Sequence, residues 1–251
     1  MASKPVKPGR PESGKPGVKK NPSAAKRKPA DTRERPAQPQ PALTDAPVHE
    51  VDLLDLVYGG DAMGRLPDGR AVFVPCGLPG ERVRLRLVEQ KRGFARAELL
   101  EVLRPSPERV LPGCPAAESC GGCHYMHMTY PAQLAAKTAI LRDQLQRIAG
   151  LAEPPVAPIV PSPRQWNYRN AVQFHLAPDG RLGFQEPGSH RVVPVETCLL
   201  CLPAITGVLP ALDFSGAAGI ERVQVRAGMD DDILIVLESN DPVPPELTVD
   251  L

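Results

Sequence analysis

The sequence predicts a protein that is mainly β with some α, organised as a tail, a small barrel and an α+β domain. Two observations support this. Between residues 47 and 104, short apolar and β-branched runs alternate with turns rich in Gly and Pro, as in a small barrel. Between residues 105 and 251, further strand patterns share the chain with one helical pattern and five of the six cysteines.

Residues 1–46 are dominated by Pro, Lys, Ala and Ser and contain almost no large apolar side chain. Such a segment cannot bury enough surface to offset the entropy of the chain, so we expect it to be disordered. It carries 11 Lys/Arg and 4 Asp/Glu, whereas the remainder carries 19 and 25. The basic tail would attract phosphates, and a purely solubilising tail would fit the same charge.

The strands of the 47–104 segment follow in order. The first begins at Val51, the second covers 71–74, the third 82–87 and the fourth 94–103. Residues 58–65 form a glycine-rich connection. It is not a phosphate-binding loop, because it lacks the Gly-Lys-Ser/Thr ending and a strand follows it. The whole pattern predicts a barrel of the oligonucleotide-binding kind.

The third strand alternates strictly, with Val and Leu on one face and Arg82, Arg84 and Arg86 on the other. Three arginines on one face could follow a phosphate backbone. An ordinary solvated strand face would show the same pattern. Because residues 47–104 carry nine basic and nine acidic residues, charge alone does not decide between the two.

Three thiols lie within ten residues, in Cys114-Pro-Ala-Ala-Glu-Ser-Cys120-Gly-Gly-Cys123. A Cys-x₂-Cys pair joined by a third Cys indicates a metal centre. Three thiolates need a fourth ligand to close a zinc site or to hold an iron–sulfur cluster. The chain offers Cys198, Cys201, His124 and His127 for that place. Disulfides are disfavoured, because the sequence shows no secretory signal.

A helix is predicted over 130–149, where apolar residues recur at near-helical spacing. Pro131 suits its first turn, and Gly150 suits the position just after its end. A proline-rich connector follows, and then come strands at 170–176, 182–185, 192–195, 220–226 and 233–237. The third of these strands stops shortly before Cys198, so a hairpin could bring a fourth thiolate to the first three.

Several short motifs carry a family resemblance. Gly59-Gly60, Gly64-Arg65 and Leu78-Pro79-Gly80-Glu81 resemble a TRAM domain, which is a five-stranded barrel. The cysteine motif, followed by a distant Cys, resembles the iron–sulfur RNA uracil-5-methyltransferases. Further matches to that family are Asn167-Tyr168-Arg169-Asn170, Leu182-Gly183-Phe184 and Gly188-Ser189-His190.

The resemblance implies a [4Fe–4S] cluster held by Cys114, Cys120, Cys123 and Cys198, with Cys201 as a bystander. It also implies methylation of uracil C5 with S-adenosylmethionine, in ribosomal RNA of the 23S class or in transfer RNA, with ribosomal RNA the expected partner. The two histidines are then not ligands. The candidate RNA contacts are Arg65, Arg82, Arg84, Arg86, Lys91, Arg92, Tyr168 and Arg169.

The sequence departs from the family after Cys201, where no Gly-x-Gly cofactor loop follows a strand pattern. We therefore expect the Rossmann-like methyltransferase domain to be absent, the 105–251 domain to be incomplete, and the chain to be the N-terminal portion of the enzyme. No catalytic residue is assigned. The alternative is a free-standing, non-enzymatic RNA-binding module with an iron–sulfur or zinc site.

The chain has no run of about 18 apolar residues, which a membrane-spanning helix would need. Its N-terminus also lacks the apolar core of a signal peptide. We therefore expect a cytoplasmic protein without a membrane partner. The oligomeric state is left open by the sequence.

Overall fold

A computed structural model describes residues 46–212, 214–215, 219–229 and 232–240. The predicted disordered tail lies outside the described residues except for Ala46, and the last part of the predicted 105–251 domain lies outside them too. Within the described residues the protein is mainly β, as predicted, with a closed barrel and a separate open sheet.

The barrel has five strands. They are β1 (Val48–Leu56), β2 (Ala62–Arg65), β3 (Ala71–Val74), β4 (Arg82–Gln90) and β5 (Phe94–Arg104). Their order around the barrel is β1-β2-β3-β5-β4, and β1 closes the ring by pairing with β4. All neighbours are antiparallel except β3 and β5. Because the barrel is closed, none of its five strands is an edge strand.

The alternation predicted for the third strand is confirmed in β4. Val83, Leu85 and Leu87 point into the barrel and are at most 3% exposed. Their counterparts across the core come from β1, β2, β3 and β5, including Val51, Leu53, Ala62, Val72 and Ala95. The arginines of β4 lie on the outer face, because successive side chains of a strand point to opposite sides.

Strand β2 lies in the segment that the sequence predicts to be a connection. It was missed because it has only four residues and contains Gly64, a residue that weakens strand patterns. The glycine is needed there. A Cβ on Gly64 would lie 2.6 Å from Val51 Cγ1 and 2.9 Å from the Asp52 carbonyl oxygen, so the close approach of β1 and β2 requires a residue without a side chain.

The second sheet has the order β10-β9-β6-β7-β8 and is antiparallel throughout. Its strands are β6 (Ala171–Leu176), β7 (Leu182–Gln185), β8 (Val192–Pro194), β9 (Ile220–Ala227) and β10 (Ile233–Ser239). A helix that the sequence did not predict, α2 (Pro203–Val208), covers one face with the following 3-10 turn Leu209–Ala211. Phe174, Ile205 and Val223 are fully buried between them.

Helix α1 (Tyr130–Arg147) begins where predicted and ends two residues earlier than predicted. Pro131 occupies its first turn, where a missing N–H costs nothing. Ile140 is its only buried residue, so α1 lies on the surface of the fold. No helix in the described part of the chain is long and apolar enough to cross a membrane.

Candidate metal centre

Four of the six thiols meet around one small cavity. Cys114, Cys120 and Cys123 come from the turns between β5 and α1, and Cys198 comes from the turn after β8. The cavity wall is mostly apolar, and Phe184 of β7 contributes to it. The sequence predicted that the first three thiols would converge and that a hairpin could deliver a fourth, and the structure brings these four together.

The loop with the first three thiols is fixed against the second sheet by its glycines. The Gly121 N–H donates a hydrogen bond to the Gln185 carbonyl at the end of β7, over 2.9 Å. A Cβ on Gly121 would lie 2.7 Å from that same oxygen, so only glycine allows the loop to pack this closely. Beside it, the Gly122 N–H donates to the Cys120 sulfur at 3.4 Å.

Cys201 occupies a different position from Cys198. It is fully buried in the core of the second sheet and does not line the cavity. Its N–H donates to the Cys198 carbonyl at 3.1 Å, and its thiol hydrogen-bonds the Cys198 sulfur. Cys201 therefore supports the turn that presents Cys198 to the other three thiols.

The charges of the four thiols are linked. Burial, together with the neighbouring Cys198, Cys120 and Cys114, raises the pKa of the Cys123 thiol to about 11. Burial likewise raises the pKa of Cys120. The hydrogen bond from Cys201 has the opposite effect on Cys198 and lowers its pKa to about 6. Several thiolates in one apolar cavity repel each other, so a bound cation would favour their charged forms.

Neither candidate histidine faces this cavity. His127 is buried, with its Nε2 atom 3.4 Å from the Gly77 carbonyl of the barrel, and burial lowers the pKa of its imidazole. His124 is exposed and packs close to Gly60, where a Cβ would lie 2.8 Å from the His124 Cβ. Both histidines therefore contact the barrel and do not line the thiol cavity.

The donor set, four thiols in an apolar wall, has the chemistry of the Cys₄ ligation that both structural zinc sites and iron–sulfur clusters use. Within the described residues, no group of three or more His, Cys, Asp or Glu side chains converges closely enough to hold a metal ion.

The space between the thiols is narrow. The cavity has a volume of about 20 Å³, which is room for roughly one water molecule. A cluster would therefore require the walls of this cavity to move apart. The loop of residues 114–123 is tied to β7 by the hydrogen bond from the Gly121 N–H to the Gln185 carbonyl, which limits such a movement.

The comparisons with known proteins place the barrel in a family. Residues 48–100 match the TRAM domain, and they coincide with strands β1 to β5. This segment is a TRAM domain. The prediction made from the motifs around Gly59, Gly64 and Leu78 is confirmed.

The relatives extend the resemblance beyond the TRAM domain. A protein of Gloeobacter violaceus described as an uncharacterized RNA methyltransferase is 39% identical over 65% of this chain and 36% of its own length. One of Nostoc sp. with the same description is 40% identical over 64% of this chain and 35% of its own length. The predicted resemblance to RNA methyltransferases is confirmed. The chain spans about a third of the length of these curated relatives.

One solved structure is similar in fold. It is the tRNA (uracil-54, C5)-methyltransferase of Pyrococcus abyssi in complex with S-adenosyl-L-homocysteine. The match covers 78% of this chain and 47% of the other, with a TM-score of 0.53 and 20% identity. At this identity the likeness concerns the fold alone.

This match corrects one part of the fold prediction, the stated absence of the Rossmann-like methyltransferase domain. Because most of this chain follows the fold of a methyltransferase, that absence is not supported and the prediction is wrong. The prediction relied on a missing glycine motif and on where the sequence stops. A fold shared at 20% identity does not depend on any one motif, and the end of a sequence does not decide which domains a protein has.

The arginines predicted to contact RNA on the TRAM domain are already paired with carboxylates. Arg82 lies 3.1 Å from Asp52 and 3.4 Å from Glu50, across the β1–β4 pair. Arg84 pairs with Glu101 of β5 and Arg86 lies 3.4 Å from Glu98. The outer face is therefore a ladder of alternating charges, and a phosphate would have to compete with these carboxylates.

The other candidates on the TRAM domain lie at the end of a strand or in a turn. Arg65 donates to the Gly69 carbonyl at 3.2 Å, and Lys91 pairs with Glu89 at 2.9 Å. Arg92 is exposed in the turn between β4 and β5. Tyr168 and Arg169 are elsewhere, in the segment before β6, where both line a cleft beside the cysteines. The structure thus divides the predicted RNA contacts into two groups, one on the TRAM domain and one in the segment before β6.

Proposed function

We propose that this chain binds RNA and belongs to a protein that methylates C5 of a uracil base, with S-adenosylmethionine as the methyl donor and ribosomal RNA as the expected substrate. The observation that carries the proposal is the TRAM domain followed by four thiols around one cavity, in a chain similar to proteins described as RNA methyltransferases. The likeness in fold to a tRNA uracil methyltransferase agrees with this reaction.

The cofactor that we propose for this part of the chain is a [4Fe–4S] cluster held by Cys114, Cys120, Cys123 and Cys198. The four thiols line the same cavity, whereas Cys201 is buried behind Cys198. When bound, the cluster would tie the loop of residues 114–123 to the turn after β8, and its positive iron atoms would keep the four sulfurs deprotonated.

The proposed uracil methylation can be tested on RNA isolated from cells with and without this protein. Ribosomal RNA from a strain that lacks this protein should lose a 5-methyluridine that the parent strain has, and mass spectrometry of RNA fragments would locate it. Loss from transfer RNA alone would correct the class of substrate. Unchanged 5-methyluridine in both, with RNA binding retained by the chain, would contradict the activity and favour a non-enzymatic RNA-binding module.

The cluster is tested on the chain itself. Protein purified without oxygen should be brown and should contain iron and acid-labile sulfide in a ratio near one to one, as a [4Fe–4S] cluster demands. A colourless protein that holds one zinc ion would contradict the proposed cluster.

A further inference from the structure

A cleft opens beside the cysteine cavity, between α1 and the segment that leads into β6. Its volume is about 360 Å³, within the range of ligand cavities in proteins, which is roughly 300–1,000 Å³. The cleft shares five lining residues with the cysteine cavity, among them Cys123 and Arg169, so one wall separates the two.

Aromatic side chains are concentrated in this cleft. The chain has one tryptophan and four tyrosines, and the lining includes Trp166, Tyr125, Tyr130 and Tyr168. Trp166 and Tyr168 are 43% and 51% exposed as residues, although such large rings are usually more deeply buried. Flat, accessible rings are the surfaces on which unpaired bases stack.

The charge of the cleft is positive. Lys137, Arg164 and Arg169 line it, and no carboxylate is found among the described residues of its wall. The Lys137 ammonium lies 5.7 Å from the centre of the Tyr125 ring, a cation–π distance that holds it at the wall. This differs from the outer face of β4, where each arginine has a carboxylate beside it. Phosphates would therefore meet less competition in the cleft.

The aromatic segment is held in place from both sides. The Tyr130 hydroxyl of α1 accepts a hydrogen bond from the Ser162 N–H at 2.7 Å. On the other side, the N–H groups of Asn167 and Tyr168 donate to the Leu199 and Leu200 carbonyls at 2.8 and 3.0 Å. The backbone of the segment that carries Trp166 and Tyr168 is thus held in place without a ligand, which reduces the entropy lost on binding.

Asn167 turns the chain between the two exposed rings. Its φ angle is 51°, in the left-handed region that Asn adopts more readily than most residues. With the oxygen and nitrogen of its side-chain amide interchanged, as the two neighbouring carbonyls require, the amide nitrogen donates to the Cys201 and Leu199 carbonyls over 3.0 and 3.2 Å. The turn allows Trp166 and Tyr168, two positions apart, to line the same cleft.

We propose that this cleft binds unpaired bases of single-stranded RNA, with Trp166 and Tyr168 stacking on bases and Lys137, Arg164 and Arg169 contacting the adjoining phosphates. The proposal rests on the proposed RNA binding of the chain and names where an unpaired segment is held. A duplex, whose bases are stacked on each other, does not offer base faces to these rings.

Trp166 provides a direct test, because it is the only tryptophan of the chain. Labelled oligouridylate is titrated into the full 251-residue chain, and both the anisotropy of the label and the tryptophan fluorescence are followed. We expect the tryptophan signal to be quenched in step with binding, since a base stacks on the indole ring. An RNA duplex of equal length should bind without comparable quenching.

Two variants measure the contribution of stacking. Trp166→Ala and Tyr168→Ala should each weaken oligouridylate binding about five-fold or more, as expected for the loss of one stacked base. Tyr58→Ala is the matched control, because Tyr58 is 81% exposed and lies outside the cleft, in the turn between β1 and β2. It should leave the affinity within about two-fold. Thermal unfolding of each variant would show that it is folded.

The outcomes separate the cleft from the general function. Oligouridylate that binds by anisotropy, with unchanged tryptophan fluorescence and unchanged affinity in both cleft variants, would overturn the cleft while leaving RNA binding intact. Equal quenching by duplex and single strand would overturn the preference for unpaired bases. No binding of any RNA by the chain would overturn the cleft and the RNA-binding proposal together.

Discussion

Arg109 and Glu81 form a two-point ion pair at the junction between the TRAM domain and the segment that follows it. Arg109 Nε lies 2.5 Å from one oxygen of Glu81, and a terminal nitrogen lies 2.7 Å from the other. Glu81 is fully buried and also accepts hydrogen bonds from the N–H groups of Leu78 and Ser106. The carboxylate therefore joins the turn before β4 to the start of the cysteine loop region.

We expect Glu81→Gln to destabilise the protein by about 3–5 kcal/mol, because it leaves the Arg109 guanidinium half-buried without its charge partner. Urea unfolding followed by circular dichroism would measure the free energy. Glu98→Gln is the matched control: its ion pair with Arg86 lies on the exposed ladder, so its cost should be below about 1 kcal/mol. Equal costs for the two variants would contradict a special role of the junction.

The cost of Glu81→Gln should depend on pH. Burial raises the pKa of Glu81, but the hydrogen bonds and charge of Arg109 outweigh it, so the pKa lies below its ordinary value of 4.5. The ionised carboxylate thus stabilises the folded state fully above pH 4.5, and this contribution is lost as the pH falls through the lower folded pKa. The difference in unfolding free energy between wild type and variant should shrink below pH 4.5. A difference that stays constant down to acid unfolding would contradict this assignment.

Gly121→Ala should impair metal loading, because the added Cβ would collide with the Gln185 carbonyl and displace the cysteine loop. We expect iron and acid-labile sulfide per chain to fall at least two-fold. Gly113→Ala is the control beside Cys114, since its Cβ would meet only Leu199 Cδ1, at an ordinary 3.6 Å. Full iron content in Gly121→Ala would show that the loop tolerates the displacement.

Cys198→Ser and Cys201→Ser should differ in their effects on metal content and on stability. The first removes a thiol that lines the cavity, so we expect loss of the metal. The second places a hydroxyl in the core of the second sheet, so we expect metal to be kept and stability to fall by about 1–3 kcal/mol. Iron analysis and urea unfolding would be compared for both. Metal loss in Cys201→Ser alone would reverse the assignment of the fourth ligand.

Arg84→Gln and Arg164→Gln compare the two groups of candidate RNA contacts. Arg84 is paired with Glu101 and Glu50, so its loss should change RNA affinity less than two-fold. Arg164 is exposed in the positive cleft, so its loss should weaken binding several-fold and reduce the salt dependence by about one phosphate contact. A larger effect of Arg84→Gln would move the main contact to the TRAM domain.

The parts of the fold that follow local patterns were predictable from sequence. The alternation of β4 gave its buried face because a strand has a period of two, and Pro131 marked the start of α1. Strand β2 was not predictable, because the reason for Gly64 is its distance from Val51, and no local pattern carries such a contact.

The candidate site was likewise predictable only in part. The three close thiols were visible in the sequence, whereas the choice between Cys198 and Cys201 depends on which one the turn after β8 buries. The cleft was missed, because its rings come from segments about 40 residues apart, Tyr125 to Tyr168. The carboxylates beside Arg84 were missed because strand register decides them.

The wall between the thiol cavity and the cleft has a thermodynamic consequence. Five residues line both spaces: Gly122, Cys123, Met126, Arg169 and Leu200. A metal centre in the cavity and an RNA in the cleft would therefore contact the same residues, and each would affect the binding of the other. Coupling of this kind is reciprocal: the factor by which metal loading changes RNA affinity equals the factor by which RNA changes metal affinity. The metal affinity, measured by competition with a chelator with and without RNA, therefore gives the same coupling factor as the RNA affinity measured with and without the metal.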